Sequence, residues 1–105
     1  MLAALQPELR GPGYEQDNWV RLHGYNELPW ATLVGFWHDY NELLAHLVRR
    51  IPAEKMETPC TIGSGATVTL RFVIEDYILH MQHHLDHILR REIITPYPSM
   101  ASPVR

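Results

Sequence analysis

The stretch from Thr67 to Ile94, TVTLRFVIEDYILHMQHHLDHILRREII, decides how the chain reads. Leu70, Val73, Ile74, Tyr77, His80, Met81, His84 and Ile88 recur at steps of three and four, the spacing that builds one helix face. Thr67 is placed to cap this helix, and Thr95-Pro96 to stop it. A second stripe precedes it. Asn26 to Pro29 signal a start, and Trp30, Val34, Trp37, Asn41, Leu44, Val48 and Ile51 then form a heptad seam that Pro52 ends. The spacing predicts a single domain with helices over 29–51 and 67–94 and a connector over 52–66, broken at Gly63-Ser64-Gly65. Residues 1–28, interrupted by Pro7, Gly11, Pro12, Gly13 and Gly24, read as an irregular arm with short helical pieces, and 95–105 as an irregular tail.

Helices of roughly 33 and 40 Å, joined by a connector of that length, predict an all-α antiparallel hairpin. Pairing Ile51 with Leu70 brings Asn41 level with His80 and Trp37 level with His84. Each apolar stripe is wider than the strip that a two-helix contact covers, so much of both would stay wet. The N-terminal arm, with Trp19, Leu22 and Tyr25 to dock, is one cover for it, giving a monomer; a second copy of the chain covers it most economically, giving a four-helix bundle from two hairpins. Asn41, polar within an apolar seam, either fixes register or reaches toward the histidines opposite.

Composition narrows the function. Nine Lys/Arg against twelve Asp/Glu leave a net charge of −3, which argues against nucleic acid or an anionic membrane as partner. One cysteine, Cys60, excludes an internal disulfide and suits a reducing cytoplasm. No apolar run approaches the ~20 residues of a membrane span, and Met1 to Arg10 lacks the basic start of a signal peptide.

Histidine is the residue out of proportion: seven in 105, four of them between His80 and His87. His80 and His84 lie one turn apart on the apolar stripe, where two neutral imidazoles need partners and one divalent ion satisfies both. The competing reading is a pair of core histidines bonded to backbone, Asn41 or Tyr77. His83 and His87 fall on the flank, beside Asp76, Leu79 and Asp86, and read as half-exposed. A third ligand must come from elsewhere: His38 at the seam edge, His23 in the arm, Glu27, or a second chain. His46 points to the polar side, and Cys60 sits over two turns from His80. Asp76 or Asn41 would orient the ligands and Tyr77 would donate a hydrogen bond.

These residues resemble the DinB/YfiT-like superfamily of metal-binding helical proteins. The resemblance runs over about residues 17–94: Asp17-Asn18-Trp19, Tyr25, the helix with Trp37, the Ile51-Pro52-Ala53-Glu54 turn, and Thr69-Leu70 opening the last helix. That helix then carries His80, His83, His84, His87 and Ile88, with His87 where the family usually has Gln. The resemblance implies a zinc or nickel site of three histidines, two of them His80 and His84, and a metal-dependent hydrolase or thiol transferase acting on a small molecule. This chain lacks the family's two preceding helices, one of which bears the third histidine. The alternative is therefore a catalytically inactive dimerisation module that keeps the bundle without the complete site.

Overall fold

Thr69 sets where the last helix begins. Its hydroxyl accepts a hydrogen bond from the Phe72 amide at 3.1 Å, so the helix runs Leu70–Ile88, two residues later than a Thr67 cap predicts. Thr67 is used differently: its hydroxyl meets that of Thr61 at 2.8 Å. The computed structural model describes residues 1–13, 15–90, 92, 95 and 97. In chain order it has helix α1 (Leu2–Leu5), strand β1 (Leu9–Gly11), helix α2 (Gln16–His23), a 3-10 turn (Tyr25–Glu27) and helix α3 (Trp30–Arg49). A second 3-10 turn (Ala53–Lys55), strand β2 (Pro59–Ile62), strand β3 (Val68–Thr69) and helix α4 (Leu70–Ile88) follow.

The all-α expectation is wrong. The connector and the arm build a three-stranded mixed sheet in the order β1-β2-β3, with β2 at its centre. β1 runs parallel to β2 with Leu9 opposite Cys60 and Gly11 opposite Ile62, and β3 runs antiparallel with Cys60 opposite Val68. The local cause is visible in residue types. β-branched Thr61, Ile62 and Val68 flank the Gly63-Ser64-Gly65 break, so the chain turns back as a hairpin. Gly63 sits at φ 56°, a left-handed conformation, and its amide donates to the Gly11 carbonyl at 2.7 Å. β1 is the element that makes this a sheet rather than a lone hairpin.

The sheet also anchors α4. A helix start leaves amides without helical partners. Here the Leu70 amide donates to the Thr58 carbonyl at 2.9 Å and the Arg71 amide to the Met56 carbonyl at 2.8 Å. Arg71 further pairs with Glu57 at 3.1 Å. The buried apolar residues lie here and at α1, with Cys60 fully enclosed and Ala3 and Ala4 buried; Thr58, and Asp76 and Asp86 along α4, are the buried polar residues among those described. α4 ends at Ile88, and Arg90 at φ 53° turns the chain away. The helix therefore stops short of the expected Ile94: Leu89 and Arg90 form a turn and Glu92 is irregular, while residues 91, 93 and 94 and most of the tail over 95–105 lie outside the described residues.

α3 and α4 oppose each other as an antiparallel pair. Tyr77 bonds Asn41, while Trp37, one turn earlier on α3, shares a recess with His84 and Ile88 further along α4. Asn41 thus meets Tyr77 rather than standing level with His80, a shift of just under one turn. The helices leave much apolar surface uncovered. α3 buries no residue fully, and Trp30 remains 71% exposed and Phe36 62% exposed. Among the described residues, no helix is long and apolar enough to cross a membrane.

Candidate metal centre

α4 places His80 and His84 four residues apart, so their rings project from one face with centroids 4.5 Å apart. Their Nε2 atoms approach to 2.7 Å. Two neutral imidazoles make this contact only if one Nε2 carries its proton and the other does not. Alternatively, both lone pairs turn toward a shared cation. On a tetrahedral zinc with Zn–N of ~2.0–2.1 Å, two nitrogens stand roughly 3.3 Å apart, within reach of a small ring rotation. The donor set fits a borderline-soft divalent ion.

Electrostatics favour the ligand form of His80. Burial lowers its pKa below the usual 6.5, the neighbouring His84 lowers it further, and Asp76 opposes them. A neutral imidazole presents a lone pair; a protonated one does not. Asp76 itself is buried on α4. Tyr97 lies over His80, their rings nearly parallel at 11° and 4.3 Å apart.

The pair stands at the junction of two recesses. One, about 250 Å³, lies between α3 and α4 with Trp37 and Tyr77 at its sides. The other, about 710 Å³, lies between α4 and α2 and brings Trp19, His23 and Tyr25 to the same histidines. His23 is fixed at its Nδ1 by the Tyr25 hydroxyl at 3.0 Å. It therefore faces the same space as His80 and His84, although the three do not draw their ligand atoms within 4.8 Å of one another.

The other candidates fall elsewhere. His38 lines neither recess; it contacts Asp39 at 3.1 Å and Glu42 at 3.4 Å on the solvent side of α3. Those two carboxylates raise its pKa, the hydrogen bond to Asp39 most strongly. Ligand atoms of His38, Asp39 and Glu42 lie within 4.8 Å of one another, a grouping common on acidic surfaces without any ion. His46 and Glu27 are exposed. Cys60 is buried in β2, where burial pushes its thiol pKa up and keeps it inert. Asn41 is committed to Tyr77 at 2.8 Å and to the Trp37 carbonyl at 2.7 Å, not to the histidines. His83 is half-buried, edge-on to His87 at 4.8 Å, and its Nδ1 lacks a hydrogen-bond partner among the described residues.

No family model, curated protein or solved structure matches this chain.

The aromatic surroundings are what the sequence alone does not show. Trp19 and Tyr25 lie in the arm, and their position against α4 depends on the β1–β2 pairing that carries the arm back across the chain.

Proposed function

We propose that the protein binds a divalent cation, zinc or nickel, through the Nε2 atoms of His80 and His84. The observation that carries this reading is the 2.7 Å approach of two ring nitrogens at the junction of two recesses. The four-residue spacing of His80 and His84 on the apolar stripe points the same way. A bound ion would supply Lewis acidity at that point. The protein's part is to keep His80 neutral by burial and to hold its ring under Tyr97. His23 is the candidate third ligand that the wide recess favours over His38. Metal-dependent hydrolysis and thiol transfer on a small molecule are the reaction classes to assay.

The metal reading is tested by melting the protein with zinc and with chelator. At a zinc concentration of 100 times the dissociation constant, a native-state ligand stabilises by ~2.7 kcal/mol. Wild type should melt several degrees higher with zinc, and His84→Ala should not respond. Equal responses from the two proteins would reject the site.

The partner we propose is a second copy. Trp30, Phe36, Trp37, Tyr40 and Tyr77 are 43–71% exposed. At 150–250 Å² per aromatic side chain they alone leave roughly 500 Å² of aromatic surface outward along α3 and α4. Val34, Leu43 and Ile88 add to it, toward the ~800 Å² per partner of a stable interface. Light scattering should give twice the 12.2 kDa chain mass. Dimerisation without metal would favour the interaction-module alternative.

A further inference from the structure

Among the described residues, neither recess beside the histidine pair is lined by an Asp, Glu, Lys or Arg side chain. That is unusual in a chain where a fifth of the residues are charged. The wide recess is instead walled by a row of rings: Trp19 and His23 have centroids 5.5 Å apart, and His23 and Tyr25 5.1 Å. Gln16 and the Pro12-Gly13 segment close its other side with no formal charge. At about 710 Å³ it falls in the size range of small-molecule sites.

We infer that this recess binds a neutral, flat aromatic ligand bearing one nitrogen donor, its ring against Trp19, His23 and Tyr25 and its donor directed at the His80–His84 pair. The inference rests on the metal reading of that pair and adds the class of ligand.

Three physical points carry it. A charged group on the ring end of the ligand, set among the aromatic walls and away from the ion at the histidine pair, would lose hydration without meeting a counter-charge, which is costly. A flat ring matches aromatic walls, which stack or meet edge to face at centroid distances of 4.5–7 Å. His23 is held at Nδ1 by the 3.0 Å contact with Tyr25, leaving Nε2 as the nitrogen it can offer inward. Polar contact is thus concentrated at one end of an otherwise apolar space, which orients an asymmetric ligand.

The test uses the full chain loaded with cobalt(II), whose visible absorption reports its ligands. Three probes are titrated: imidazole, phenylimidazole, and phenylimidazole carrying a para-carboxylate. Phenylimidazole should bind about 10-fold or more tightly than imidazole, from the apolar area of its added ring, and the carboxylate should cancel that gain. Trp19→Ala should remove the preference while cobalt affinity holds, and Trp19→Phe should restore most of it. Cobalt that loads while imidazole and phenylimidazole bind within about twofold of each other would overturn the inference and leave the metal reading standing. Cobalt that fails to load would overturn both.

Discussion

The Tyr77 hydroxyl donates to the side-chain carbonyl of Asn41 at 2.8 Å, joining α4 to α3 across 36 residues of sequence. Asn41 completes the arrangement by donating its amide to the Trp37 carbonyl at 2.7 Å, which fixes the carboxamide for Tyr77. A polar residue in an apolar seam is tolerated here because both ends of its amide are satisfied.

Tyr77→Phe keeps the ring and deletes the bond. Burial holds the Tyr77 hydroxyl protonated, as a donor needs to be, by raising its pKa above 10.0. A net hydrogen bond contributes ~0.5–1.5 kcal/mol, and partial exposure of Tyr77 puts the loss toward the lower end. Calorimetry should show a Tm decrease of a few degrees. An unchanged Tm would mean that the α3–α4 register is set by packing alone.

Stability should fall on mild acidification. His80 has a native pKa below its ordinary 6.5, so the unfolded chain takes up its proton first as pH drops. The contribution of neutral His80 is complete above pH 6.5 and is lost as pH falls from there through the lowered native value. Urea titrations at several pH values between about 7.5 and 5 should show this loss. It should be reduced in His80→Gln. A loss of equal size in that variant would place the proton elsewhere.

Two glycines should respond oppositely to alanine. Gly63 lies at φ 56°, and a Cβ there would meet the Gly13 backbone nitrogen at 3.1 Å. Backbone cannot yield as a flexible side chain does, so Gly63→Ala should destabilise by ~1–2 kcal/mol from left-handed strain alone. Gly35 lies inside α3 with nothing within 4 Å of its Cβ position. Gly35→Ala should stabilise by ~0.5–1 kcal/mol through helix propensity. Thermal melts followed by circular dichroism read both.

The helices were legible in the sequence because each has a long stripe, and a stop that acts locally at Pro52. The sheet was not. Its strands span three, four and two residues, too few for alternation to register. The β2–β3 hairpin did leave a trace, in β-branched residues on either side of Gly63-Ser64-Gly65. β1 left none, since its parallel pairing joins Leu9 to Cys60 across half the chain. The same division holds at the site. His80 and His84 could be found because helical spacing alone puts them on one face. Trp19 and Tyr25 could not be placed there, because β1 is what brings the arm against α4.

Elemental analysis of tag-free protein, purified without chelator, tests the histidine site most directly. The expected result is zinc or nickel at between about half and one equivalent per chain, lost in both His80→Ala and His84→Ala. Bound metal that persists in these two variants, or wild type that stays metal-free after zinc is supplied, would contradict it.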